Sequence, residues 1–365
     1  MTTFGTAAEV LREAISTRAF PAAAVEVGSR ENIAWQEAFG TLTYDAAAPP
    51  AERSTIFDLA SLTKVICTTT LVMRAVDDGV LRIDDPVSAW IPEWRGSDRL
   101  DVTVRDLLAH SSGLTAYLPY YRDLSGRAEF QAAIATSPLE YTPRTRAIYS
   151  DLGFILLGFI VEDARNHSAS TWPGAVDPAA LLASQFKRVS SYLTTDPLTF
   201  LPPREWRERT APTEHDSWRG RTLRGEVHDE NTWALGSVAG HAGLFGTAAA
   251  VGAFARAVLH TIHGNGVISK TTTLKEFIQR TSVPGSSRAL GWDTMLPTSS
   301  CGTLMSRTAI GHTGFTGTSL WIDWERDLYV VLLTNRVHGG RDNTQIQQVR
   351  PRFHDAVVRE LYPAS

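Results

Sequence analysis

The sequence predicts an α+β fold, in which one antiparallel sheet is built from both ends of the chain and a mainly helical segment is inserted between them. Three observations lead to this prediction. Strand-like segments occupy residues 22–40, helical periodicity dominates residues 61–164, and a second pair of strand-like segments follows at 316–335. The chain of 365 residues is long enough to bury a large core.

The N-terminal elements follow from their spacing. Ala8, Leu11 and Ile15 recur at helical intervals and predict an amphipathic helix. The segments 22–28 and 33–40 are separated by a short polar turn, which predicts a β-hairpin.

The middle of the chain is predicted to be helical. A helical period runs from about residue 61 to Gly79, and Thr103 with Asp106 three positions later has the pattern of a capping box. A strongly apolar helix is expected directly after Tyr149.

The last third returns to strands after an irregular stretch. Residues 196–232 are rich in Pro, Arg and Trp and have no clear period, so they predict a long, partly irregular connection. A helix is expected at 247–262, strands at 316–323 and 328–335, and a closing helix at 343–361.

Composition and charge narrow the function classes. A net charge of −4 and a pI near 6.2 give no reason to expect nucleic acid or an acidic membrane surface as a partner. Cys67 and Cys301 form neither a disulfide framework nor a metal-ligand pattern, so no metal and no cofactor are predicted.

The targeting signals are few. The N-terminus lacks the basic start and unbroken apolar core of a signal peptide, and the longest strongly apolar run, 154–161, is too short to span a bilayer. We therefore expect a cytoplasmic protein, or a periplasmic or secreted one if a leader precedes this sequence.

Ser61 and Lys64 are the first candidates for chemistry. Only four of the 35 basic residues are lysines, and Lys, unlike Arg, can lose its proton when buried or crowded by positive charge. At positions i and i+3 of a helix the two side chains share a face, so a neutral Lys64 can activate the Ser61 hydroxyl. A second S-x-x-K, Ser184 to Lys187, fits a solvated helix face better.

Two further segments join this pair. Tyr149, in Tyr-Ser-Asp before the apolar helix, can act as a base if adjacent cations lower its pKa; the alternative is a half-buried core aromatic. The glycine-rich segment 311–317 leads into the C-terminal strands, where glycines let a ligand approach. A backbone N–H there, with that of Ser61, can donate to an oxyanion, although a plain strand entry explains the glycines equally well.

Together these motifs resemble those of the class C β-lactamase-like serine hydrolases. Ser-Leu-Thr-Lys at 61–64, Tyr-Ser-Asp at 149–151 and His-Thr-Gly at 312–314 stand in the order of that family's three motifs, and the likeness extends over residues 5–360. The family includes class C β-lactamases, D-alanyl-D-alanine peptidases, D-aminopeptidases and family VIII carboxylesterases.

The resemblance implies an architecture and lobe boundaries. The α+β fold becomes an αβα sandwich, with the antiparallel sheet flanked by helices. The single catalytic domain, 5–360, would consist of an α/β lobe, 1–58 plus 230–365, and a helical lobe, 59–229.

The resemblance also implies roles for individual residues. Ser61 would be the nucleophile, Lys64 its proton-handling partner, and Tyr149 the general base and later the acid toward the leaving group. The backbone N–H groups of Ser61 and Phe315 would form the oxyanion hole. The implied substrate-binding residues are Asp151, His312, Thr313 and Gly314.

Two departures from the family pattern shape the functional prediction. His312 replaces the lysine of K-T-G, so a fixed charge becomes a group that is mostly neutral near pH 7. Asp151 replaces the asparagine of Y-x-N and lacks its amide donor. Both changes disfavour efficient β-lactam hydrolysis, whereas a simple ester needs less help for its leaving group.

The sequence therefore predicts a serine hydrolase that forms an acyl-enzyme, with carboxylesterase activity on short-chain acyl esters as the leading hypothesis. The first alternative is a hydrolase of D-amino-acid peptides or amides with weak or no β-lactamase activity. The second, of a different class, is a penicillin- or peptide-binding protein without turnover. The expected partner is a small ester, amide or peptide; the oligomeric state stays open.

Other polar and aromatic residues near the motifs receive two interpretations. His110 and His241 are assigned structural roles in loops near the site. The aromatic residues that either shape an acyl pocket or simply pack are Tyr117, Tyr120, Tyr121 and Trp233.

Overall fold

A computed structural model describes residues 4–167 and 181–363. Its α-helices are α1 Gly5–Ser16, α2 Thr70–Asp77, α3 Val104–Leu108, α4 Gly126–Thr136, α5 Asp151–His167, α6 Leu181–Leu193, α7 Glu230–Ala234, α8 Ala248–Ile262, α9 Thr271–Phe277 and α10 Ile346–Leu361. Its strands are β1 Ala22–Gly28, β2 Ile33–Gly40, β3 Phe57–Asp58, β4 Leu198–Thr199, β5 His215–Asp216, β6 Arg221–Thr222, β7 Phe245–Gly246, β8 Asp293–Thr294, β9 Ile310–Thr313, β10 Ser319–Asp323 and β11 Leu328–Thr334.

The main sheet joins the two ends of the chain. Its six strands lie in the order β2-β1-β11-β10-β9-β8, and the paired strands are antiparallel. The first strand, β1, pairs with β2 on one side and with β11 on the other; Ala24 lies opposite Leu333. The predicted N-terminal hairpin and the C-terminal strand pair are both confirmed.

Alternate residues of the central strands face two separate cores, because side chains on a strand alternate between the faces of the sheet. Val25 and Val330 pack with α1 and α10 on one face. Ala24 and Val331 pack with α8 on the other. Helices therefore cover both faces, which confirms the predicted α+β fold with an αβα sandwich.

The segment between the sheet halves carries α2 to α6. It begins with a π-helical stretch, Lys64–Thr69, rather than the regular α-helix expected from the periodicity. The capping box of Thr103 and Asp106 is confirmed at the start of α3. The proposed lobe boundaries at 58/59 and 229/230 stay a prediction, and residues 1–3, 168–180 and 364–365 of those lobes lie outside the described residues.

The connection at 196–232 is irregular, as predicted. It contains β4, a 3-10 turn at Arg204–Arg209, the short hairpin of β5 and β6, and the start of α7. Within residues 4–167 and 181–363, no helix combines the length and the apolar character that are needed to cross a bilayer.

Candidate active site

Ser61 follows a residue with an uncommon backbone conformation. Ala60 has a φ of 46°, in the left-handed region that residues other than glycine rarely adopt. Its N–H donates to Oδ1 of the buried Asp58 at 2.8 Å, which holds the turn in place. The strained turn presents the Ser61 side chain to a large cavity, and such strain is common at functional sites.

Lys64 is fully buried beside Ser61. Its Nζ donates to Ser61 Oγ at 3.0 Å, to Asp151 Oδ1 at 2.6 Å and to the carbonyl oxygen of His241 at 3.1 Å. The π-helical stretch begins at this residue. The structure thus brings together the serine and the lysine that the sequence singled out, and it adds Asp151 to them.

The protonation state of Lys64 differs from the expectation. Burial favours the neutral amine, but the adjacent Asp151 carboxylate outweighs this effect and leaves the pKa of Lys64 above its usual value. The resting side chain is therefore an ammonium, and the expected neutral lysine is wrong. The reason is that Lys64 forms an ion pair with the Asp151 carboxylate. Asp151 also lines the cavity.

Tyr149 lies at the centre of a group of rings and cations. Its ring centroid is 4.7 Å from that of His110, 5.7 Å from that of His312, 4.8 Å from Lys64 Nζ and 5.1 Å from Arg288 Cζ. Desolvation raises the pKa of the phenol and outweighs the opposing effect of Lys64. The expected lowering of this pKa is therefore wrong on balance, and the resting Tyr149 is a neutral phenol.

His312 ends up neutral, as its sequence position suggested. Burial, reinforced by the charges of Arg288 and Lys64, lowers its pKa well below the usual value. Nδ1 lies 2.8 Å from the carbonyl oxygen of Thr313, so the ring proton belongs on Nδ1. The buried Nε2 then carries a lone pair, and it has no hydrogen-bond partner among the described residues.

The turn after β9 is tied directly to the serine loop. Thr318 Oγ1 donates to the carbonyl oxygen of Leu59 at 3.0 Å, and Thr316 Oγ1 donates to that of Asp58 at 2.7 Å. A Cβ on Gly314 would stand 2.1 Å from Thr318 Oγ1 and 2.7 Å from the Leu59 oxygen. The sequence explained this glycine by the approach of a ligand. The structure adds a second reason, because Gly314 lies where two backbone segments come close together.

Two buried arginines support the same turn. Arg350 Nη2 donates to the carbonyl oxygens of Gly314 at 2.8 Å and Thr318 at 2.7 Å. Arg336 Nε donates to the carbonyl oxygen of Phe315 at 2.8 Å. The carbonyl oxygens of Gly314, Phe315 and Thr318 therefore each accept a hydrogen bond from an arginine.

The Phe315 ring is held on both sides. The imidazole of His228 stacks on it with a centroid distance of 5.6 Å, and the Arg336 guanidinium lies 4.5 Å from its centroid. Within the described residues, the backbone N–H groups of Ser61 and Phe315 have no backbone acceptor in a turn or loop. Both residues line the cavity, and their role as an oxyanion hole stays a prediction.

The cavity has a volume of about 680 Å³, within the range of sites for drug-sized ligands. It is lined by Ser61, Tyr149, Asp151, His312, Thr313, Gly314 and Phe315, all named from the sequence. It is also lined by ionisable residues that no motif marked: His228, Asp229, Glu230, Arg288, Asp293, Arg336, Arg341 and Arg350. Sequence reasoning missed the second set because these residues come from separate segments and converge only in the fold.

The two histidines assigned structural roles do hold loops. His110 Nδ1 accepts the backbone N–H of Ser150 at 3.0 Å and so shapes the entry to α5. His241 Nε2 lies 2.8 Å from Asp229 Oδ1. That contact, with burial opposing it, keeps the pKa of Asp229 well below its usual value.

Comparison with known proteins identifies the family. Residues 7–350 match the Beta-lactamase family. This chain belongs to that family. Its members are serine hydrolases, so the resemblance seen in the three motifs is confirmed at the level of the family.

The proteins that this chain is similar to are described with different activities. The chain is 30% identical over 320 residues to a putative D-alanyl-D-alanine carboxypeptidase of Salmonella gallinarum, an alignment that covers 81% of this chain and 73% of the relative. Among solved structures, EstCE1, a hydrolase with promiscuous acyltransferase activity, superposes with a TM-score of 0.71 at 21% identity over 95% of this chain and 97% of its own. A class C β-lactamase from Rhodobacter sphaeroides has a TM-score of 0.71 at 17% identity, over 98% and 99% of the two chains.

These similarities establish the family and the fold of this chain. The two solved structures share the fold with this chain, and the family acts on small ester, amide or peptide substrates. The substrate of this family member therefore has to be argued from its own cavity.

Proposed function

We propose that this protein is a carboxylesterase that forms an acyl-enzyme on Ser61. The observation that carries the proposal is the position of Ser61 Oγ, 3.0 Å from Lys64 Nζ. Ser61 lies at the wall of the cavity, close to the phenol of Tyr149. A serine hydroxyl needs a neighbouring group that removes its proton, and this arrangement supplies one.

The protonation states suggest how the proton moves. Neither an ammonium nor a neutral phenol can accept a proton, so in the reactive form the Lys64–Tyr149 pair holds one proton fewer than at rest. That pair takes the proton of Ser61 as Oγ attacks the ester carbonyl, and Tyr149 then protonates the leaving oxygen as the ester C–O bond breaks. Water then attacks the acyl-enzyme by the reverse path, which releases the acid and restores Ser61.

The negative charge that develops on the carbonyl oxygen needs donors that are already in place. In this proposal the N–H groups of Ser61 and Phe315 supply them. The two threonine hydrogen bonds from the β9–β10 turn to Asp58 and Leu59 fix the distance between these donors.

The surroundings of Tyr149 favour esters over amides. An amine is a poorer leaving group than an alcohol and depends more on its proton donor. Here His312 is neutral, and Asp151 is engaged with Lys64, so neither provides the fixed charge or the amide donor of the K-T-G and Y-x-N motifs. Short-chain acyl esters remain our first choice for the reacting group.

A second candidate is a D-amino-acid peptide hydrolase of the carboxypeptidase type. Arg288 favours it, because its guanidinium lies against Tyr149 and its ion pair with Asp293 is long, at 4.0 Å. A guanidinium in this position can bind a substrate carboxylate on the leaving-group side. The Salmonella gallinarum relative, a putative D-alanyl-D-alanine carboxypeptidase, favours the same candidate.

The test is intact mass spectrometry with parallel product release. Wild type, Ser61→Ala and Ser184→Ala would each be exposed to a short-chain nitrophenyl ester, a penicillin and a D-alanyl-D-alanine peptide. Ser184→Ala is the matched control, because it removes the serine of the second S-x-x-K, whose hydroxyl bonds the Leu181 carbonyl within α6.

We expect turnover and an acyl adduct in wild type and Ser184→Ala, none in Ser61→Ala, and the fastest reaction with the ester. Faster release of D-alanine than of nitrophenol would replace the esterase by the peptidase. Adduct formation without product would indicate a penicillin- or peptide-binding protein. Equal labelling of Ser61→Ala would refute the nucleophile.

A further inference from the structure

Four aromatic side chains lie near one another outside the catalytic group: Tyr117, Tyr121, Trp218 and Trp233. We call them the aromatic strip. The ring centroids of Tyr121 and Trp218 are 4.7 Å apart, and those of Trp218 and Trp233 are 5.2 Å apart, both in edge-to-face geometry. The exposed fractions are 39% for Tyr117, 44% for Trp218 and 39% for Trp233. Large aromatic surfaces left exposed together commonly mark a binding site.

The strip is held rigid although it draws on three segments. Asn231 of α7 accepts the backbone N–H of Tyr121 at 2.9 Å and donates to the carbonyl oxygen of Leu118 at 2.8 Å. The same short helix carries Trp233. The rings are therefore positioned before a ligand arrives, which reduces the entropic cost of binding.

The strip reaches the cavity through one of its members, Tyr117. Tyr117 lines the cavity wall beside Asp229, and the carbonyl oxygen of the preceding Ala116 accepts the backbone N–H of Asp151 at 2.9 Å. The strip thus begins next to the Lys64–Asp151 pair and extends outward from it.

The direction of the reaction assigns this wall to the acyl group. The leaving oxygen takes its proton from Tyr149, whose ring lies against His312, so the leaving group points toward β9 and the start of α10. The acyl group then extends to the wall formed by Ala116 and Tyr117.

We propose that the aromatic strip binds an uncharged aryl group at the end of a short acyl chain, so that among short-chain esters those with an aryl substituent, such as phenylacetyl esters, are preferred. This inference rests on the proposed esterase function and deepens it. An aryl ring meets the exposed faces of Trp218 and Trp233 in the offset or edge-to-face geometries that aromatic pairs prefer.

The charges around the strip argue against a cationic ligand. The guanidinium groups of Arg122 and Arg219 lie 5.8 Å and 5.9 Å from the ring centroids of Tyr121 and Trp218. The nearest cavity carboxylates are already paired, Asp229 with His241 and Glu230 with Arg341. Arg219 is itself paired with Asp216, so the Arg122 guanidinium beside Tyr121 is the positive charge that a quaternary ammonium would meet.

The experiment compares nitrophenyl acetate with nitrophenyl phenylacetate, which share a leaving group and differ only in the acyl group. We expect Trp218→Ala and Trp233→Ala each to lower kcat/KM for the phenylacetyl ester about 10-fold and to change that for acetate less than about twofold. Tyr362→Ala is the control, because this exposed ring lies beyond the far end of α10 and should leave both esters unchanged.

A binding measurement keeps the two proposals separable. Ser61→Ala would be titrated with phenylacetamide, acetamide and tetramethylammonium, with tryptophan fluorescence as the readout. Selective binding of phenylacetamide that Trp233→Ala weakens would support the strip even if no ester were hydrolysed.

Ester turnover with no preference for the phenylacetyl group, or an equal loss for both esters in the tryptophan variants, would overturn the strip and leave the esterase intact. Tighter binding of tetramethylammonium than of phenylacetamide would overturn it as well.

Discussion

The two walls of the cavity treat buried positive charge in opposite ways. On the nucleophile wall, residues 58–64, the buried Lys64 has a carboxylate partner in Asp151, and its pKa is raised. On the oxyanion wall, residues 312–318, the buried Arg350 donates to backbone carbonyls, and burial together with nearby Arg336 lowers its pKa to about 9. Burial alone therefore does not set the charge; the partner does.

This difference assigns the walls different tasks. The nucleophile wall keeps proton-transfer groups fixed beside Ser61. On the oxyanion wall, charged arginine side chains hold the backbone carbonyls in position. Loss of a group from the first wall should affect proton transfer, and loss from the second should affect geometry. The predictions follow that order, from the largest effect to the smallest.

Lys64→Arg should lose about 10³-fold in kcat, because the fully buried site fits an amine and a guanidinium cannot pass its proton on. The assay is hydrolysis of a nitrophenyl ester that wild type turns over. Lys187→Arg is the control, since that exposed lysine belongs to the second S-x-x-K and should keep full activity. Near-normal turnover in Lys64→Arg would remove Lys64 from the proton path.

Asp151→Asn should cost about 10²-fold in kcat and about 3 kcal/mol in the free energy of unfolding at pH 7, because it leaves a buried ammonium without its partner. The folded pKa of Lys64 is raised, so the stability from the pair is present below the unfolded pKa of about 10.4 and is lost as pH rises through the folded pKa. Urea unfolding at pH 7 and above pH 11 checks this.

The control for this pair is Asp84→Asn, which removes the exposed partner of Arg105 and should change stability by less than about 1 kcal/mol. Equal stability losses at both pH values in Asp151→Asn would contradict the charge pairing and indicate a packing effect.

Arg350→Met should lower kcat about 10-fold and leave KM nearly unchanged, because the carbonyls of Gly314 and Thr318 lose their donor and the oxyanion turn shifts. Arg352→Met, two residues later on α10 and in an exposed pair with Glu13, is the control. A rise in KM without loss of kcat would instead show that Arg350 binds substrate directly.

Glu214→Gln should have the smallest effect, about 1 kcal/mol in stability at pH 7. Burial tends to raise the pKa of Glu214, but hydrogen bonds from His228 and Arg341 overcome it and lower the pKa to about 2. The stability gained is therefore present above the unfolded pKa of about 4.3 and is lost as pH falls toward 2.

Chemical unfolding of wild type and Glu214→Gln between pH 7 and pH 2 would measure this. The difference between the two proteins should shrink over the acid range, whereas Glu208→Gln, at an exposed carboxylate, should match wild type throughout. A stability difference that does not depend on pH would contradict the pairing of the Glu214 carboxylate with His228 and Arg341.

A sequence-based prediction succeeds when the interactions behind it join residues that are close together in the sequence. The hairpin 22–28 and 33–40 was predicted with its observed bounds, because alternation and a polar turn are local signals. The strand β8, only two residues long, has no period to detect and was missed. In the same way Ser61 and Lys64 were found from one helical turn, whereas Arg288 and Arg350 belong to no motif.

By itself the sequence determined the α+β fold and the family, and it singled out Ser61, Lys64 and Tyr149 as candidate site residues, because periodicity and short motifs depend on residues that are close together in the chain. Only the tertiary structure decided the charges of the site. Lys64 is an ammonium because Asp151, 87 residues away, reaches it inside the protein, and Tyr149 is a phenol because the surrounding rings exclude water. The protonation state of a side chain depends on desolvation and on partners brought together by folding, and a local sequence pattern predicts neither of them.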